Sequence, residues 1–97
     1  IPPFGFMTSI IISGPSKGNV EKISQQLVYF RKYSEEFSVL GPVEAPINLL
    51  KGQFRYRILL KGKSRKNLNI FTKKMVSSVK IPSAVRVVID VDPYTFM

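Results

Sequence analysis

The 97 residues carry fifteen Lys and Arg against six Asp and Glu, a net charge of +9, with 44% hydrophobic residues and neither Cys nor His. A chain of that length makes one domain that buries very roughly two thirds of its unfolded surface, and its composition is that of a folded soluble unit, not a disordered one. Without thiols there is no disulfide framework, without imidazoles a zinc site is nearly excluded, and no apolar run approaches the roughly 18 residues of a membrane span.

Ile1–Gly5 is a lead-in, with Pro2 and Pro3 favouring an extended path, and a chain that starts at Ile1 is expected to be a piece of a longer protein. No basic-then-apolar signal pattern opens it. Phe6–Ser13 is isoleucine-rich and bounded by Gly14-Pro15, which predicts a first strand. Asn19 is the expected cap of a first helix. Its apolar residues Val20, Ile23, Leu27, Phe30 and Phe37 fall at steps of three and four interrupted only by Ser34. Val39-Leu40-Gly41-Pro42 opens an extended stretch reaching about Leu50, and Pro42 and Pro46 confine it to a sheet edge or a bulged strand. Lys51-Gly52-Gln53 predicts a tight hairpin turn.

Phe54–Lys61 is the clearest strand, with Phe54, Tyr56, Ile58 and Leu60 alternating against Arg55, Arg57, Leu59 and Lys61. Gly62 ends it. Ser64 then caps a second helix with Leu68, Phe71, Met75 and Val79 on its buried side. Pro82 separates that helix from a last strand, Val85–Val91, closed by Asp92-Pro93. The order βαββαβ predicts a single α+β domain over 1–97 of the ferredoxin-like plan: a four-stranded antiparallel sheet with both helices on one face.

Charge is distributed unevenly along this plan. Eleven Lys and Arg and no acid lie between Ala45 and Ile89, whereas Glu21, Glu35, Glu36, Glu44, Asp90 and Asp92 all fall outside. Such a field draws polyanions, either nucleic acid or a partner with an acidic tail. Burial of the Phe54–Leu60 row carries Arg55, Arg57 and Lys61 to the open face of the sheet. Two readings stand there: a phosphate-contacting surface, or long stems covering a solvated sheet. Lys61, Lys63, Arg65 and Lys66 meet at the junction of the third strand and second helix, where unpaired N–H groups and an arginine fork suit a phosphate or carboxylate. Arg65 and Asn69, four apart, are neighbours on one helix face.

Catalysis finds no support in these residues. Asp90 and Asp92 point to one side of a strand, but a site needs further ligands or a nucleophile, for which Glu44 is the one obvious third candidate, and Asp90 is expected to pair with a basic residue across the sheet. Gly14-Pro15 and Gly41-Pro42 lack phosphate-loop spacing. Tyr29, Tyr33 and Tyr94 offer rings for base stacking or for structure alone. The glycine–aromatic strand of RNA-recognition motifs is superficially similar to Lys51–Tyr56. Here, however, the aromatics occupy the opposite phase and face inward.

Pro2-Pro3-Phe4, Leu40-Gly41-Pro42 with Ala45-Pro46, Phe54-Arg55-Tyr56-Arg57 into Leu59-Leu60-Lys61, and Asp90-Val91-Asp92-Pro93 occur in this order. Together they resemble the C-terminal domain of the primosomal replication-restart helicases (the PriA, or primosomal protein N′, family) over essentially the whole chain. The resemblance implies a bacterial, cytoplasmic parent: an ATP-dependent 3′→5′ DNA helicase whose ATP, magnesium and zinc are bound elsewhere, leaving this piece no cofactor and no metal. It implies binding to forked or single-stranded DNA, with Arg55, Arg57, Lys61, Lys63 and Lys66 on phosphates. It further implies contact with the helicase core, other primosome proteins and the acidic tail of single-stranded-DNA-binding protein. The arginine of the family's Ser-Arg helix start matches Arg65 as a tail contact. Asn69 falls where a glutamine is expected one turn later. The competing class is an RNA-binding structural protein of ribosomal βαββαβ type.

Overall fold

The structure, a computed structural model, describes residues 5–45 and 52–91. The expected extended lead-in over 1–4, the continuation of the second strand over 46–50, Lys51 and the Asp92-Pro93 ending lie outside those residues. Seven elements follow in order: β1 (Phe6–Gly14), α1 (Lys17–Tyr29), a 3-10 turn (Phe30–Tyr33), β2 (Ser38–Glu44), β3 (Phe54–Gly62), α2 (Arg65–Ser77) and β4 (Arg86–Val91). The strands form one antiparallel sheet in the order β2-β3-β1-β4, the ferredoxin-like arrangement expected from the sequence.

β3 is central and pairs with both β1 and β2, because its alternating row has an apolar side to bury. Ile58 stands opposite Ile10, Tyr56 opposite Ile12 and Leu60 opposite Thr8, and all six are buried on the helix-bearing face. Val20, Leu27, Leu68 and Met75 close the core from the helices. Full burial of each such aliphatic side chain contributes about 1.5–3 kcal/mol. β2 is an edge strand, and its pairing slips between Leu40 and Val43. Gly41 makes that slip possible. Its φ is +104°, and a Cβ there would lie 2.8 Å from the Arg57 carbonyl oxygen.

The first helix departs from expectation at both ends. Ser16, not Asn19, is the cap: its Oγ accepts the Asn19 backbone N–H at 3.3 Å. The helix starts earlier than its apolar stripe because Lys17 and Gly18 face solvent and add nothing to that pattern. At the other end the α-helix stops at Tyr29, the 3-10 turn follows, and Ser34 is extended. Phe37 therefore reaches the core from a loop, stacking on Phe71 with ring centroids 4.4 Å apart.

The second helix matches expectation. Ser64 Oγ accepts the Asn67 N–H at 3.1 Å, and Leu68, Phe71 and Met75 are buried. Val79, past the helix end, packs partly buried against the core. The buried hydroxyls of Ser24 and Thr72 donate to the Val20 and Leu68 carbonyls, each at 2.7 Å. Among the described residues no buried side-chain polar atom lacks a partner, as interiors require.

Candidate nucleic-acid and partner interface

Strand alternation sends Arg55, Arg57, Leu59 and Lys61 to the face of the sheet away from the helices. The register then decides their neighbours. Arg55 lies opposite Ser13, and Ser13 opposite Arg86 of β4. With strands about 4.8 Å apart, the Arg55 and Arg86 backbones stand about 10 Å apart across Ser13. Arg57, the next residue of that row, is exposed, while Arg55 and Lys61 are half-buried. Arg86 is one of the eleven cations between Ala45 and Ile89, and nothing local to it in the sequence assigns it to the site. Its phase on β4 is readable, but its position beside Arg55 depends on pairing through β1.

The same face carries an apolar band that the charge pattern conceals. Leu40 and Val43 of β2 are 51% and 63% exposed, and Leu59, Ile11 and Val88 continue the band across β3, β1 and β4. Lys61 lies beyond it, opposite Met7. Arg55, Arg57, Lys61, Lys63 and Lys66 have no carboxylate partner among the described residues. Glu44 instead pairs with Lys17 at 3.5 Å. Asp90, expected to meet a cation, stands opposite Ser9 and forms no ion pair among the described residues. Backbone register sets its neighbour, and that neighbour is a hydroxyl. Asp92 lies outside the described residues, among which no group of three or more His, Cys, Asp or Glu comes together to hold a metal ion.

At the start of α2 the four cations adjacent in sequence take different surroundings. Lys61 points to the open face, and Lys63 and Lys66 are exposed. Arg65 turns back across the helix-bearing side to β1. Its Nη1 donates to Thr8 Oγ1 at 3.3 Å and Asn69 Oδ1 at 3.2 Å, and Nη2 donates to the Met7 carbonyl at 3.2 Å. The guanidinium also lies 5.0 Å from the centre of the Phe6 ring, close enough for a cation–π contact. Burial lowers its pKa from the ordinary arginine value, and the group stays charged at neutral pH. Arg65 and Asn69 thus meet, as their spacing requires. What their spacing does not reveal is that β1 anchors the pair.

Comparison with known proteins gives this arrangement a family. A family model described as "Primosomal protein N C-terminal domain" matches residues 1–94. The chain belongs to that family. Its relatives include the replication restart protein PriA of Rickettsia typhi, 36% identical over 96 residues that cover 99% of this chain and 15% of that protein. The PriA of Haemophilus influenzae is 30% identical over 96% of this chain and 13% of its own length. That of Bacillus subtilis is 25% identical over 99% and 12%. The PriA C-terminal domain seen here therefore spans about 15% or less of the length of these relatives. In fold it is similar to a de novo designed protein, Foldit4, with a TM-score of 0.71 at 11% identity, covering 89% of this chain and 93% of that one.

Proposed function

We propose that this domain binds DNA phosphates without reading sequence and holds an acidic partner tail, as the C-terminal module of a replication-restart protein. The observation that carries the reading is the set of open-face cations Arg55, Arg57 and Lys61, which have no carboxylate partners among the described residues. Family membership supports it, since the relatives are named for replication restart. Arg86 joins the proposed surface through its place beside Ser13. Lys63 and Lys66, exposed around the start of α2, extend the proposed contact toward the helix-bearing side. Phosphate contacts of this kind position a protein on nucleic acid and carry no sequence information.

In the same reading Arg65 and Asn69 receive a carboxylate of the tail of single-stranded-DNA-binding protein. An arginine already oriented by its own chain loses little freedom on accepting such a group. The parent would be an ATP-dependent 3′→5′ helicase of primosome assembly, with ATP, magnesium and zinc bound outside this domain and the helicase core packed beside it. A ribosomal-type RNA-binding protein is the weaker alternative. It would have the same βαββαβ element order but not the family, and preference for structured RNA over forked DNA in competition would favour it.

The test is salt dependence. Neutralising three or four phosphates gives log affinity for single strands a slope against log salt of roughly −2 to −3. Removing two cations in R55A/R57A reduces the magnitude of that slope by about 1.4. An affinity independent of salt overturns DNA binding by this face. An unchanged slope in R55A/R57A overturns its assignment to β3.

A further inference from the structure

On the helix-bearing side, away from the arginine face, a groove of about 830 Å³ runs between α1 and the segment joining α2 to β4. One wall presents Lys22, Gln26, Tyr29 and Tyr33. These residues are four, three and four apart, so they share one helix face continued by the 3-10 turn. Lys80 stands on the other wall. Among the described residues no Asp or Glu lines the groove, and neither Lys22 nor Lys80 has a carboxylate partner.

The two tyrosines are unusual for their size. They are 64% and 66% exposed, the largest values among the exposed large hydrophobic residues described. Phe30, between them, is the ring that turns inward, 5.4 Å from Phe71. Core packing therefore does not account for Tyr29. Lys32 holds the pair in place. Its ammonium donates to the Tyr29 hydroxyl at 2.7 Å and lies 4.0 Å and 5.1 Å from the Tyr29 and Tyr33 ring centres. Phe30 tilts against Tyr33 with centroids 5.0 Å apart. The rings are thus exposed and braced, with Lys32 itself outside the groove lining.

We propose that this groove is a second nucleic-acid site, which takes single-stranded DNA by stacking bases on Tyr29 and Tyr33 while Lys22 and Lys80 contact phosphates. Braced aromatics beside cations are how proteins hold single strands regardless of sequence. Gln26 adds a donor and an acceptor for base edges. A duplex cannot use the site, because its bases are already stacked on one another. An acidic peptide would engage the lysines and leave the rings idle. The site goes beyond the phosphate-binding open face, lies on the other layer of the domain, and stands or falls separately.

The chain has no Trp and four Tyr, of which Tyr56 is buried and Tyr94 lies outside the described residues, so the part of the tyrosine quenching that Y29A/Y33A abolishes reports on the groove. Titration of the 97-residue domain with a short oligo(dT) quenches this emission. Y29A/Y33A weakens oligo(dT) binding roughly 10- to 100-fold, the loss of one or two stacked bases. Affinity for a blunt duplex stays within about twofold, since phosphate contacts elsewhere supply it. Y29F/Y33F, which keeps both rings, retains oligo(dT) affinity within about threefold, and K22A/K80A reduces the salt-slope magnitude by about 1.4. Circular dichroism stays that of the parent because the substituted side chains are exposed. Unchanged oligo(dT) affinity in Y29A/Y33A overturns the proposal, as does an equal loss for duplex. Tighter binding of oligo(U) than oligo(dT) overturns DNA as the ligand, and loss confined to an acidic peptide overturns nucleic acid altogether. If R55A/R57A changes duplex binding while Y29A/Y33A changes nothing, the open face stands and the groove does not; the reverse result has the opposite meaning.

Discussion

Arg65→Ala tests the fold and the proposed tail contact together, and the structure supplies the magnitude. The substitution removes donors from the Met7 carbonyl, Thr8 Oγ1 and Asn69 Oδ1, at 3.2, 3.3 and 3.2 Å. Thr8 is fully buried, so no water readily replaces the guanidinium at its hydroxyl. A hydrogen bond of this sort is worth about 1 kcal/mol net, and these are long and partly solvated. About 2 kcal/mol is therefore the expected loss, which lowers the midpoint of thermal unfolding by roughly 8–16 °C for a domain of this size. Since domains typically have roughly 5–15 kcal/mol in hand, the variant still folds at 25 °C. Thermal and urea melts followed by circular dichroism measure the loss. Arg65→Lys keeps the charge without the fork and should fall between the two. At a temperature where both are folded, R65A should lose at least about tenfold in affinity for an acidic C-terminal peptide, with DNA affinity within about twofold. A melting point equal to the parent's refutes the anchoring to β1. Equal losses for peptide and DNA refute separate sites.

Gly62→Ala should destabilise, because its Cβ would sit 2.8 Å from the Phe37 ring that stacks on Phe71. Overpacking of about 1–3 kcal/mol outweighs the roughly 0.4–1 kcal/mol gained by stiffening the unfolded chain. In urea melts F37A/G62A should show less than the summed losses, and strict additivity would mean that the two groups do not meet. Ser64→Ala removes the acceptor of the Asn67 N–H and should cost about 1 kcal/mol, with Ser64→Asp close to the parent, in the same melts. An unchanged midpoint in S64A would show that the cap contributes nothing.

The sequence by itself determined the local features. The alternation over Phe54–Lys61 settles which side chains are buried and which cations face outward, because a strand has period two whatever it pairs with. Ser64 is readable as a cap, and Gly41-Pro42 as a break in an edge strand, for equally local reasons. The family was legible from four short segments spread along the chain. Tertiary structure decided whatever depends on partners distant in sequence. Arg86 comes beside Arg55 only because both strands pair with β1 at Ser13. Arg65 binds β1, 57 and 58 residues earlier in the chain, and no spacing rule reaches that far. Phe37 falls in step with the helical stripe by spacing alone, yet it reaches Phe71 from a loop. Tyr29 and Tyr33 became a braced pair only once Phe30 turned inward and the α2–β4 segment supplied the facing wall. Periodicity tells which way a side chain points from its own element. What it meets there depends on how the elements pack, and packing is a property of the whole chain.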